Sequence, residues 1–177
     1  MDFIYVSSKE DLSGAVKVLN EAHGTIANDF GFTRDNNPSN NAFIDEPTLR
    51  SQLEKGIELY QLIENDKVVG CIAIEKALKE ANTFYIEKVS VIPEARHFGH
   101  GVKLMNFATA LIENQGGKWI SIALIDTNTV LKEWYSKQGF SETGTKDFPH
   151  LPFRVCFMSK NLDPRTKIQE EDATLLF

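Results

Sequence analysis

Val91-Ile92-Pro93-Glu94-Ala95-Arg96-His97-Phe98-Gly99-His100-Gly101-Val102-Lys103-Leu104 links an apolar run to an amphipathic one. It reads as the end of a strand, a turn rich in backbone donors and the start of a helix. The first turn of a helix leaves N–H groups with no partner inside the helix, and the helix dipole favours an anion beside them. The stretch is therefore a seat for a phosphate group. Gly99 and Gly101 let the backbone approach a ligand where a Cβ would intrude. Arg96 can add a charge-assisted bond to a phosphate oxygen, and Lys103 is placed to reach one as well.

Several ligands compete for such a seat. A nucleoside-triphosphate loop needs two glycines four residues apart, then Lys and Ser or Thr, and that pair is missing. A dinucleotide fingerprint needs a third glycine, where this chain has Leu104. A glycine turn with no ligand is the remaining alternative for this segment read alone. What is left is Val-x-Pro followed by Arg-x-x-Gly-x-Gly. A second segment, Asn128-Thr129-Val130-Leu131-Lys132-Glu133-Trp134-Tyr135-Ser136-Lys137-Gln138-Gly139-Phe140, sets an Asn after a strand, a Tyr on a short helix and Gly-Phe before the next strand. A third, Val155-Cys156-Phe157-Met158-Ser159-Lys160-Asn161-Leu162, reads as a closing strand that contains Met-x-Lys. Together, in this order, the three resemble the GNAT superfamily of N-acetyltransferases, from the hairpin at Ile57 to Leu162.

Composition bounds the answer from outside. The chain has 177 residues, 42% hydrophobic and 25% charged, with a net charge of -6. That suits one soluble domain over residues 1–162 with a polar C-terminal tail, 163–177. An acidic chain lacks the basic face of a nucleic-acid binder. No run approaches a membrane span, and the N-terminus lacks the pattern of a signal peptide, so a cytoplasmic location is expected. Cys71 and Cys156 stand inside apolar strand patterns without metal spacing, which reads as two buried thiols in a reducing compartment and no metal site.

Along the chain, Phe3 to Val6 reads as a strand. Ser7 and Glu10 form a capping-box pattern ahead of Leu12, Ala15, Val16 and Leu19, which recur at helical spacing. This helix either runs on past Ala22 or breaks at Gly24. Gly31 to Asn41 is a loop. Asp45 caps a second helix that contains Pro47 and stops at Gly56. Ile57–Ile63 and Val68–Ile74 form an antiparallel hairpin. Strands follow at Thr83–Ile92, Trp119–Ile125, Phe140–Thr145 and Phe153–Lys160, with helices at Val102–Glu113 and Asn128–Lys137. The two strand–helix–strand units after Thr83 predict parallel neighbours, and Phe153–Lys160 closes the sheet. The fold expected is α/β (α+β), GNAT-like: a mixed, mostly antiparallel twisted sheet of about seven strands with helices on both faces.

The resemblance implies an activity and assigns residues to it. Acetyl-CoA is the implied co-substrate, with its pyrophosphate at Arg96, His97, Phe98, Gly99, His100, Gly101, Val102 and Lys103. Its pantetheine arm lies between two splayed strands, along the backbone of Val89, Ser90 and Val91, with Asn128 bonded to it. Direct transfer to an amine needs a base for the amine proton, stabilisation of the thioester oxygen and a proton for the departing thiolate. Glu87 matches the family's strand carboxylate and is the base. Tyr135 matches the family tyrosine near the coenzyme sulfur and is the acid. Each residue also has a plainer reading: Glu87 paired with Lys88, Tyr135 filling core space and Asn128 capping its helix.

Other polar groups give less. His97 and His100 read as solvent-facing turn residues, and His23 as a structural histidine with no partner. His150, between Pro149 and Pro152, either touches the acceptor or belongs to a rigid loop. Phe30, Phe32 and Phe43 flank a loop that shapes acceptor choice in the family. The expected function is acetyl transfer to a primary amine, with a small-molecule acceptor favoured for a chain of this size. The alternatives are a non-catalytic acyl-CoA-binding module and a nucleotide-binding regulator. An edge strand near the C-terminus offers a route to a homodimer.

Overall fold

A computed structural model of the chain describes residues 1–163, and the tail expected beyond them lies outside the described residues. The strands are β1 (Asp2–Val6), β2 (Glu58–Glu64), β3 (Lys67–Lys76), β4 (Thr83–Val91), β5 (Trp119–Ile125), β6 (Ser141–Asp147) and β7 (Arg154–Asn161). The helices are α1 (Ser13–Phe30), α2 (Glu46–Glu54), α3 (His100–Asn114) and α4 (Thr129–Ser136), with short 3-10 turns at Asn41–Phe43 and Pro93–Ala95. The seven strands form one sheet in the order β1-β2-β3-β4-β5-β7-β6. All neighbours are antiparallel except β4 and β5.

Two expectations about connectivity need correction. Only the first strand–helix–strand unit makes parallel neighbours. In the second, β7 slides between β5 and β6 and pairs antiparallel with both, so β6 and not β7 is the edge. The apolar face of β7 explains the exchange: Cys156 and Met158 are fully buried, whereas every residue of β6 is exposed. The more apolar strand takes the central place. The capping-box pattern also serves a different purpose. Lys9 N–H donates to Ser7 Oγ and Ser7 N–H to Glu10, which closes a turn of its own, and α1 starts only at Ser13. From there α1 continues through Gly24 and ends at Gly31, whose left-handed φ of 67° suits glycine.

Local chemistry sets the other joints as expected. Asp45 accepts from Thr48 N–H at 2.9 Å and starts α2. Asn65 and Asp66 both have positive φ, 49° and 59°, the geometry that keeps a two-residue hairpin in twist with its strands. Alternation along β3 then feeds two cores. Cys71 and Ala73 face α1 and α2 with Leu12, Leu19, Leu49 and Leu59. Ile72 and Ile74 face α3 with Leu104, Met105, Ala108 and Ile112, continuous with Ile120, Leu124 and Met158. Both cysteines are buried and free, and burial pushes the Cys71 thiol up to about 12. Among the described residues no helix is long and apolar enough to cross a membrane.

Candidate active site

The parallel pair β4–β5 holds together over only three positions: Thr83 with Trp119, Phe84 with Ile120 and Tyr85 with Ser121. Beyond Tyr85 the strands part. On its other side, β4 shifts register against β3 between Ala73, opposite Glu87, and Cys71, opposite Ser90. Lys88 and Val89 fall in that irregularity, and Lys88 takes a left-handed φ of 53°. A bulge of this kind bends the strand and turns its side chains. The result is a cleft of about 1060 Å³ between the diverging strands.

One end of the cleft is the glycine turn. His97 and Gly99 have positive φ, 68° and 81°, and α3 begins at His100. Lys103 N–H donates to the Gly99 carbonyl as the first helical bond. Helical geometry leaves the N–H groups of residues 99–102 without partners inside the helix. Gly101 is needed for contact: a Cβ there would meet the Trp134 ring at 3.0 Å. Of the residues expected at the site, Glu87, Val89, Ser90, Val91, Arg96, His97, Gly99, His100, Gly101, Val102, Asn128 and Tyr135 are part of the lining. Phe98 and Lys103 are exposed and stand outside it.

Two residues of the turn, and His23 on α1, are held differently from what their chemistry predicts. Arg96 gives Nε to the Val91 carbonyl and one Nη to the Ala22 carbonyl and the Thr25 hydroxyl, at 3.1, 2.8 and 3.0 Å. It ties the turn to α1. His100 is 3% exposed, not solvent-facing. Its Nδ1 lies 2.8 Å from the Ala95 carbonyl and its Nε2 3.1 Å from Glu64. As the first residue of α3 it swings inward, where these acceptors await. His23, expected without a partner, lies 3.0 Å from the Ser90 hydroxyl and lines the cleft. Burial, reinforced by the Lys88 and Arg96 charges, pushes its pKa down to about 4.

Glu87 stands on the bulge with its side chain one-third exposed, 3.3 Å from the buried Lys88 ammonium. Lys88 also donates to Asn41 Oδ1 at 3.3 Å. Asn41 is fixed in turn, because Asn20 donates to its carbonyl and to that of Ile44. Burial and the Glu87 charge together raise the pKa of Glu75, on the neighbouring strand. Across the cleft, Tyr135 is 7% exposed and its ring packs edge-on against Trp134 and Phe140 at 4.9 and 5.6 Å. Burial raises its pKa, so the hydroxyl keeps its proton. That hydroxyl makes no hydrogen bond with any described residue, which leaves it free to donate into the cleft. Asn128 accepts from Leu131 N–H at 3.1 Å as the cap of α4 and lines the cleft as well.

The far end contains residues the sequence reading missed. Asn37, Ser39, Asn40 and Asn41 line it, from the loop between α1 and α2, with Lys88 below. His150 is exposed and outside the lining, and its neighbours Leu151 and Phe153 take that place. Phe30, Phe32 and Phe43 do not line the cleft either; Phe32 packs on Phe153 at 5.2 Å and supports it from behind. The run of asparagines from 36 to 41 was the available signal, read only as a loop.

Comparison with known proteins agrees with this geometry. The acetyltransferase (GNAT) family matches residues 27–140, more than half of the chain. Among curated proteins, an amino-acid acetyltransferase of Neisseria meningitidis serogroup A is 30% identical over 102 residues, 56% of this chain and 22% of that protein. The chain thus spans about a fifth of the length of the curated relatives it matches. Among solved structures, ribosomal-protein-alanine N-acetyltransferase from Brucella melitensis has a TM-score of 0.70 at 17% identity, over 92% of this chain and 100% of that one. A GNAT family acetyltransferase from Elizabethkingia anophelis with acetyl-CoA bound has a TM-score of 0.64 at 15% identity, over 91% and 97%. Sequence motifs, sheet topology and family match converge, and the chain belongs to the acetyltransferase (GNAT) family.

Proposed function

We propose that the cleft transfers the acetyl group of acetyl-CoA directly to a primary amine on a small molecule. The single observation that carries this reading is the loss of β4–β5 pairing beyond Tyr85, because it opens a slot with a carboxylate on one wall and a free hydroxyl on the other. The pyrophosphate rests on the N–H groups at the start of α3, where the helix dipole assists. The pantetheine arm follows the unpaired edge of Val89, Ser90 and Val91.

The chemistry follows from the groups around the slot. Glu87 accepts a proton from the acceptor ammonium, directly or through water, and the freed nitrogen attacks the thioester carbon. A backbone N–H near Val89 stabilises the oxygen as charge develops on it. The new C–N bond forms, the C–S bond breaks, and the Tyr135 hydroxyl gives its proton to the leaving thiolate; the nitrogen releases its second proton to water and Tyr135 regains one from water, so the net proton released is the one taken by Glu87. The acceptor in this reading is a soluble amine.

Calorimetric titration with acetyl-CoA, ATP and NAD is the first test, followed by thiol release with a panel of amines. Binding of acetyl-CoA alone, then amine-dependent thiol release, is the expected result. Binding without turnover of any amine leaves the chain an acyl-CoA-binding module and ends the catalytic reading.

A further inference from the structure

One polar side chain at the far end of the cleft has no protein partner. Asn37 is 2% exposed, and its side-chain amide makes no hydrogen bond with any described residue. Its backbone is fully engaged, with N–H donating to Thr33 and the carbonyl accepting from Asn40. Among the described residues only Gln52 Oε1 is sealed from solvent without a partner, so the Asn37 amide reaches the cleft, where water or a ligand can satisfy it. Asn37 lines the cleft, so a ligand entering there can do so.

Lys88, Asn41 and Glu87 line the same cleft. Lys88 carries three N–H donors and spends two, on Glu87 and on Asn41 Oδ1. Asn41 uses its oxygen for Lys88, which leaves its Nδ2 donors available. Asn37 itself brings an acceptor oxygen as well as donors, Lys88 and Asn41 bring donors, and a buried positive charge stands among them. Glu87, 3.3 Å from Lys88, is the charged acceptor. An incoming molecule that matches this end has an acceptor-only anion a short distance from an amine. A polyamine brings donors alone and meets the Lys88 charge unfavourably. A neutral amine leaves the Asn37 and Lys88 donors unused.

We infer that the acceptor is a free amino acid, its amine presented to Glu87 and its carboxylate received by Lys88 and Asn37, which makes these two residues the determinants of acceptor specificity. This rests on the acetyl-transfer reading above. The Glu87–Lys88 pair offers one charge of each sign to a zwitterion that carries the opposite two. Asn37 adds a directed N–H donor to the carboxylate, and because its Oδ1 is also an acceptor the discrimination by charge rests on Lys88.

The test uses the full chain with acetyl-CoA and measures thiol release with the proteinogenic L-amino acids, their carboxamides, simple alkylamines and spermidine. At least one amino acid is expected to exceed its carboxamide by roughly 100-fold in kcat/KM, the cost of stranding a buried charge. Asn37→Ala and Lys88→Gln are each expected to raise KM for that amino acid by about tenfold or more while changing the carboxamide far less. Calorimetry with acetyl-CoA reports whether each variant is folded, and Asn37→Ala decides the matter if Lys88→Gln is not. Equal turnover of acid and carboxamide, a preference for spermidine, or equal losses on both substrates in Asn37→Ala overturns the inference and leaves acetyl transfer standing. Absence of thiol release with every amine removes the acetyl-transfer reading, and this one with it.

Discussion

The His23 imidazole Nε2 on α1 lies 3.0 Å from the Ser90 hydroxyl on β4, and that hydroxyl donates its own proton to the Lys88 carbonyl at 2.9 Å. With its proton spent, Ser90 can only accept from His23, so the imidazole carries its hydrogen on Nε2. A chain of two hydrogen bonds thus runs from α1 into the bulge that bears Lys88, and burial beside the Lys88 and Arg96 charges requires the histidine to stay neutral.

That requirement makes stability depend on pH. Folded His23 titrates at about 4, against 6.5 for the free side chain. Between these values the unfolded chain binds a proton that the native chain refuses, so stability falls as pH drops from 6.5 towards 4 and is unaffected by this group above 6.5. A shift of this size corresponds to on the order of 3 kcal/mol. Thermal melts of wild type and His23→Gln from pH 4 to 7 check it. The variant should show a flatter profile below pH 6.5. An unchanged slope would mean that another group sets the acid limb.

Glu87→Gln and Tyr135→Phe should separate catalysis from binding. Loss of the base is expected to lower kcat by about 10²-fold or more, and loss of the acid by about tenfold, with little change in acetyl-CoA affinity. Tyr135→Phe should melt like wild type, because the hydroxyl has no described partner to lose. Steady-state kinetics beside calorimetry gives the answer, and kcat within a few-fold of wild type in both variants would remove the assigned roles.

Gly70→Ala tests how closely β3 must approach the bulged strand. The new Cβ would lie 2.6 Å from the Ser90 carbonyl oxygen and 3.1 Å from Leu104 Cδ1. The nearer clash is with backbone, which cannot rotate away. Destabilisation of about 2–3 kcal/mol is expected, with weaker acetyl-CoA binding as β4 shifts. A denaturant titration showing wild-type stability would refute the close approach.

Arg96→Lys distinguishes a strut from a phosphate ligand. A lysine ammonium cannot reproduce three bonds aimed at Val91, Ala22 and Thr25. A loss on the order of 2 kcal/mol in stability is expected, with acetyl-CoA affinity falling as the turn loosens. Were melting unchanged and only coenzyme affinity reduced, the guanidinium would be acting on the phosphate itself.

Much of this architecture is written locally. The hairpin at Asn65-Asp66, the Asp45 cap, the glycine turn and the Asn128 cap each depend on residues within a few positions of one another, and each was legible from those residues. Glu87 and Tyr135 were singled out only by resemblance, Glu87 by its place on the strand before the glycine turn and Tyr135 within the frame that ends in Gly139-Phe140. The Phe140 ring that braces Tyr135 is that same motif's last residue.

The sequence by itself determined the order of elements and the glycine turn at the start of α3, because φ preferences, caps and periodicity act over a turn or two, and its motifs pointed to the family to which the chain belongs. Only the tertiary structure decided that β7 enters between β5 and β6, that His100 turns inward to Glu64, that Arg96 braces α1, and that Asn37, Asn41 and Lys88 line one cleft. Lys88 and Asn41 are 47 residues apart, and His23 and Ser90 are 67. Contacts at such separations are fixed by which apolar faces pack together, and nothing in the residues flanking either partner records them.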